Sequence, residues 1–266
     1  MRKGEKADLI LVLVWPIIAS IISIILEELE VVNSNFFLSI VLFLGLPAIY
    51  LSFRNRHFVI KSLIPAIFIC PVMIIIEYIG YYSLAWSFPS SIFSIEIFGV
   101  VILEVIFWVF FNVYYVIIFY ESFLDHHITH KLWNPKLKYF LIGTLLLFSI
   151  FSFLVFNKIN LNIPYFYLLF GLILFALPIG LQLINYSNTK KVIIKMLKAS
   201  AYFFYLSFIY EIIALRYGWW SFPSSTYIGW LEIFGVRFPL EELIWWILLF
   251  AFAVMVYYEY FEDDEK

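Results

Sequence analysis

The chain has one cysteine and four histidines, and only 14% of its 266 residues are charged. A lone Cys70 excludes an intramolecular disulfide and is expected to be a small packing residue inside a helix. Four histidines are too few for the multi-histidine di-iron site of a membrane desaturase. His126 and His130 are spaced to meet a metal on a helix, but in a charged loop they are read as solvated, and no metal is expected. No Gly-x-Gly-x-x-Gly follows a strand and strand–helix alternation is absent, so no dinucleotide-binding domain is encoded. The net charge of -2 carries no signal for nucleic acid, and no such partner is expected.

What is abundant is apolar. Residues of apolar type make up 64% of the chain and aromatics 22%, and the mean hydropathy is +0.97. These values lie far beyond soluble usage and define an integral membrane protein. Eight stretches are long enough to cross the bilayer core: Leu9–Leu26, Phe36–Phe53, Leu63–Ala85, Ile97–Tyr120, Tyr139–Phe156, Ile163–Ile184, Ala199–Leu215 and Phe238–Tyr258. The expected fold is an all-α polytopic bundle with few residues left for any soluble domain.

Charge placement supplies an orientation in the cell membrane. With the N-terminus in the cytoplasm, fourteen of the seventeen Lys and Arg fall inside, and only Lys158, Arg216 and Arg237 fall outside. This positive-inside asymmetry puts both termini in the cytoplasm. The first apolar run follows basic residues as a signal peptide would, but it reaches Leu26 without a small-residue cleavage site and is read as a retained helix.

The chain repeats itself. Trp86-Ser87-Phe88-Pro89-Ser90-Ser91 returns as Trp220-Ser221-Phe222-Pro223-Ser224-Ser225, each time nine residues after a glutamate, Glu77 or Glu211. Glu96-Ile97-Phe98-Gly99-Val100 returns as Glu232-Ile233-Phe234-Gly235-Val236, Leu46-Pro47 as Leu177-Pro178, and Lys61 as Lys195. The unit is about four helices long. Because four is even, the two copies, 1–130 and 131–266, are expected to be parallel repeats about an axis along the membrane normal. The joint is placed in the polar stretch from Glu121 to Lys138.

A carboxylate in hydrocarbon is costly and marks function or a structural ion pair. Glu77, Glu104 and Glu211 lie inside apolar runs, and Glu241 and Glu242 follow Pro239. At 1.5 Å per residue, Glu77 and Glu211 are expected roughly 13 Å along their helices from Trp86 and Trp220, facing Glu104 and Glu241 across a helical hairpin. Pro239-Leu240-Glu241-Glu242 is also what a plain helix start looks like, with proline in the first turn and acids complementing the dipole. Arg216 and Arg237 are the obvious ion-pair partners, and a carboxyl between an apolar wall and an arginine is equally a general acid or base.

A Pro-x-Glu-Glu helix start, preceded by a Trp-containing turn and a membrane-embedded acid in a duplicated all-helical protein, resembles the membrane-embedded lycopene cyclases of the archaeal, bacterial two-subunit and fungal type. In that family two homologous halves, on one chain or two, make one cyclase. The likeness spans both halves, its specific part being Pro239-Leu240-Glu241-Glu242 and the region from Glu211 to Trp220. The first copy departs from it, with Ile102 and Val105 opposite Pro239 and Glu242 while Glu104 stands opposite Glu241.

The resemblance implies redox-neutral cyclisation of a linear carotenoid end group held in the bilayer, without flavin, nicotinamide or any other cofactor. Such chemistry needs an acid to protonate the terminal double bond, a water-poor aromatic pocket for the cation, and a base for a second proton. Glu241 and Glu211 are the leading acid–base candidates, with Glu242, Glu77 and Glu104 next and Arg216 and Arg237 tuning them. Trp219, Trp220, Phe222, Trp245 and Trp246, with Trp86 and Trp108 of the first copy, are candidate cation-facing rings or, equally, belt and packing residues. Two alternatives stay open. A hydratase would add water to the same double bond, and a transporter or carrier would also use parallel repeats, embedded acids and helix-breaking prolines.

Overall fold

In a computed structural model, residues 4–29, 35–125, 137–185 and 190–261 are described. Eight helical spans are long and apolar enough to cross a membrane: α1 Glu5–Glu28, α2 Phe36–Arg54, α3 Arg56–Tyr82, α4 Leu103–Asp125, α5 Leu137–Phe156, α6 Phe166–Ile184, α7 Lys191–Arg216 and α8 Leu240–Phe261. A helix satisfies its own backbone hydrogen bonds, which hydrocarbon cannot do for it. Leu145, Phe156 and Ile184 are exposed on the outer faces of the bundle, as lipid-facing residues are. The chain is an all-α polytopic membrane protein.

The spans differ from the hydropathy reading at their ends, and at α3, α4 and α8 the backbone shows why. α3 stops at Tyr82 instead of Ala85, because Leu84 takes a left-handed φ of 56° and reverses the chain. α4 begins at Leu103, not Ile97, because two short hairpins occupy the apolar approaches to α4 and α8. β1 Glu96–Ile97 pairs with β2 Val101–Ile102, and β3 Trp230–Ile233 pairs with β4 Val236–Pro239. Each hairpin turns on consecutive positive φ angles, at Phe98 and Gly99 in the first and at Phe234 and Gly235 in the second, which suits the twist of paired strands. Runs read as the first turns of transmembrane helices are therefore strands.

The repeat is visible as matched local structure. A five-residue π turn interrupts α2 at Val41–Gly45 and α6 at Leu172–Ala176. Each is followed by the repeated Leu-Pro, whose proline lacks an N–H and crowds the carbonyl four residues back, a misfit the wider turn absorbs. Ile102 and Pro239 adopt the same extended conformation before α4 and α8. At one end of the bundle Ser87 and Ser221 form an antiparallel bridge. At the other, Tyr120 donates to Glu259 at 2.6 Å and Tyr258 donates to Glu121. These reciprocal pairs relate the copies by a pseudo-twofold axis.

The stretch from Glu121 onward begins as structure, not linker. Glu121–Asp125 forms the last, π-helical turn of α4. Its acids are buried, with Lys61 3.5 Å from Glu121 and Lys195 2.5 Å from Asp125. His126, His130 and the boundary between 130 and 131 lie outside the described residues.

Candidate functional site

Trp86 does not continue away from Glu77. The reversal at Leu84 folds the indole back over α3, so close to Gly80 that a Cβ there would sit 2.5 Å from the ring. Its Nε1–H donates to Glu77 at 2.8 Å. Trp220 repeats the arrangement on α7, donating to Glu211 at 3.0 Å, with Gly218 at φ 69° in place of Leu84. The expected 13 Å separation is thus corrected to a direct hydrogen bond. A nine-residue spacing measures helix length only while the helix lasts.

The two acids after the hairpins have a different task. Glu104, fully buried, accepts the Ile92 N–H at 2.6 Å and the Ser91 hydroxyl at 2.7 Å. Glu241, also fully buried, accepts the Ile228 N–H at 2.7 Å. Both clamp the segment after the Trp-Ser-Phe-Pro turn onto the first turn of the next helix. Tyr227 tightens the second of these segments by donating to the Ala85 carbonyl at 2.7 Å, and burial raises its phenol above the ordinary value so that it keeps this proton.

Glu242, the next residue, points elsewhere. It lines a cavity of about 40 Å³ together with Glu77, Trp86, Trp108, Trp220, Phe222 and Trp246. Its carboxyl accepts a hydrogen bond from Tyr167 and lies beside that of Glu211. The cavity therefore has Glu242 of the second copy on one wall, with Glu211 beside it, and Glu77 of the first copy on another.

The rings close the cavity in exchanged pairs. Phe36 stacks on Phe88 at 4.9 Å and meets Trp220 edge-on at 5.5 Å. Tyr167 meets Trp86 edge-on at 5.1 Å and stacks with Phe222 at 6.4 Å. Trp108 and Trp246 meet at 4.6 Å. Trp108 follows Glu104 by four positions and Trp246 follows Glu241 by five, and the extra one is taken up by the π-helical stretch Leu243–Leu249. π turns of this kind commonly re-aim side chains at functional sites.

Several expected residues are not brought to the cavity. Trp245 packs on Gly171, where a Cβ would sit 2.1 Å from its ring, and Trp219 donates to Glu27 on α1. Arg237 lies on the exposed hairpin 4.5 Å over the Trp230 ring and pairs in register with Glu232. Arg216 is exposed at the end of α7. Among the described residues neither arginine forms an ion pair with a carboxylate, so the reading of them as tuning groups is replaced by Trp86, Trp220 and Tyr167 as donors.

Tyr167, Phe36 and Phe88 escaped the sequence reading. The signal was present, because the Leu-Pro register sets Phe36 opposite Tyr167. The first copy thus has Phe36 and Val105 where the second has Tyr167 and Glu242, so the acid and its hydroxyl donor are absent together.

A second, larger cavity of about 380 Å³ runs beside the first, from Lys61 and Tyr258 at one end of the bundle to Ile76 and Trp246 near the acids. Trp246 lines both cavities. No family model matches the chain, and no curated protein and no solved structure matches it.

Proposed function

We propose that the chain is a carotenoid end-group cyclase of the cell membrane that works by moving protons alone, with both termini in the cytoplasm. The observation that carries this reading is the cavity lined by Glu242 and Glu77 and enclosed by aromatic rings, with Glu211 beside Glu242. Glu242 or Glu211 gives its proton to the terminal double bond of a linear polyene, leaving a tertiary cation. The neighbouring double bond supplies the electron pair that closes the ring. Glu77, held by the Trp86 indole, takes a proton from an adjacent carbon and restores a double bond. Atoms balance, and substrate and product have equal mass.

The surrounding ring faces stabilise positive charge and exclude water that would capture the cation. Electron-rich rings do this without offering a nucleophile. The first copy supplies Glu77 and Trp86, and the second supplies Glu211, Glu242, Tyr167 and Trp220, so one centre is built from two unequal halves.

A cavity of about 40 Å³ between carboxyl groups is also large enough for a water molecule, which favours hydration of the same double bond as the second reading. One experiment separates these. Purified protein in detergent is given lycopene in heavy water without flavin, nicotinamide or metal. Cyclisation yields rings carrying about one deuterium each, because the delivered proton comes from an exchangeable carboxyl group. Hydration adds the mass of water, and a carrier returns the pigment unchanged.

A further inference from the structure

The two copies differ on their flanks. On α3 the residues Phe68, Ile69, Val72 and Ile76 line the larger cavity. The residues in the same register on α7, counted from Glu77 and Glu211, are Tyr202, Phe203, Leu206 and Tyr210, and all four are buried. Ala253 on α8 lines the cavity, whereas its counterpart on α4, counted from Tyr258 and Tyr120, is the fully buried Tyr115. Tyr115 and Tyr202 share a hydrogen bond of 2.6 Å, and Tyr202 stacks on Phe119 at 4.6 Å. One flank is filled with rings and the other is open.

The helices covering the flanks differ in the same sense. α1 lies over the filled flank and is tied down: Trp15 donates to the Leu42 carbonyl at 2.7 Å, Tyr202 to the Val12 carbonyl at 3.2 Å, and Arg54 and Tyr50 both bind Asp8. α5 lies over the open flank. Among the described residues its side chains make hydrogen bonds only within the helix, at Ser149 and Ser152. It packs on the bundle towards both ends, Phe151 against Tyr78 and Phe98 and Phe140 against Phe261 at 5.1 Å. Between these contacts Gly143, Thr144 and Leu147, with Phe140, border the cavity.

We infer that the chain has a single cleft for a linear hydrocarbon isoprenoid, entered from the bilayer beneath α5, in which the body of the substrate lies while its reacting end passes Trp246 into the acid cavity. This rests on the cyclase reading for the identity of the reaction, but the cleft is defined by its own walls. The occupant follows from those walls and from continuity with the acids. Beyond Lys61 at its far end, the lining is apolar along about 17 Å of α3 from Pro65 to Ile76, which suits an extended chain without polar groups. The acid cavity by itself is smaller than a cyclising end group, so Trp246, on its π-helical stretch, must turn aside to admit one. With one cleft and one acid centre, a polyene with two reactive ends is processed one end at a time, leaving and re-entering between rounds.

Gly143 gives the test, because a Cβ there meets nothing within 4 Å and bulk projects into open space at the cleft. Gly180 on α6 is equally open and does not line the cleft, so Gly180→Trp is the matched control. Two quantities are measured: ring formation from lycopene, and lycopene retained by purified Glu242→Gln protein, read by its absorbance. Gly143→Trp should lower both about tenfold or more, as expected if most substrate affinity resides in the cleft, while Gly180→Trp changes neither. If Gly143→Trp protein is not recovered, Leu147→Trp on the same wall is used. Unaltered ring formation and retention in these variants would overturn the cleft while leaving the cyclase reading intact. Retention that depends on Gly143 in a protein that forms no rings would support the cleft and remove the cyclase reading.

Discussion

Ser87 and Ser221 exchange backbone hydrogen bonds, each N–H donating to the other's carbonyl at 2.9 Å. They are equivalent residues of the two repeated hexapeptides, so this bridge straddles the pseudo-twofold axis between the copies. It brings Trp86 and Trp220, one residue earlier in each copy, to the same cavity. The reciprocal Tyr120–Glu259 and Tyr258–Glu121 bonds do the equivalent work at the opposite end of the bundle.

Such an interface should let the halves assemble as separate chains. Residues 1–130 and 131–266, co-expressed, are expected to co-purify and to form rings from lycopene, while neither half alone is active. Ser87→Pro removes one of the two bridging N–H groups, a loss of about 1 kcal/mol, and should weaken co-purification of the halves more than it lowers activity of the intact chain.

Glu242 and Glu241 adjoin in sequence but should behave as opposites. Glu242→Gln removes the second copy's carboxyl that lines the cavity and is expected to lower turnover about 100-fold or more at unchanged abundance. Glu241→Gln keeps a carbonyl that accepts the Ile228 N–H and should stay active, whereas Glu241→Leu strands that donor and destabilises the fold by about 1–3 kcal/mol. Turnover assays beside thermal stability in detergent separate the two. Inactive, stable Glu241→Gln protein would return Glu241 to the reaction.

Tyr167→Phe makes the second copy resemble the first at this position, where Phe36 stands. The ring contacts with Trp86 and Phe222 survive and only the hydroxyl donated to Glu242 is lost. A hydrogen bond to a charged group is worth about 1.5–3 kcal/mol, so turnover should fall about 10- to 100-fold with little change in lycopene retention. Unaltered turnover would mean that Glu242 needs no hydroxyl donor.

Lys61 and Glu121 sit 3.5 Å apart with side chains 4% and 0% exposed. Glu121→Gln removes a carboxylate beside a buried ammonium while keeping an acceptor for Tyr258, and should lower thermal stability. Adding Lys61→Met removes the charge as well and should recover most of that loss. Thermal unfolding of the purified variants in detergent measures both steps.

The membrane class, the eight crossings and the duplication were all legible in the chain, because hydrocarbon demands long apolar helices and a repeated hexapeptide needs no structure to be seen. The Glu77–Trp86 and Glu211–Trp220 pairings were half legible: their spacing recurs, but their contact depends on a left-handed residue at Leu84 or Gly218 that turns nine residues of sequence into a hydrogen bond. Which acid of Glu241 and Glu242 faces the cavity was not legible at all. Consecutive residues on a helix point about 100° apart, and only packing against Tyr167, Glu211 and the loop at Ile228 assigns one to the cavity and the other to the backbone. The open and filled flanks were likewise decided by tertiary structure. The same helix register carries Ile76 in one copy and Tyr210 in the other, and whether that difference makes a cleft or a core depends on which helix lies across it and how firmly it is tied.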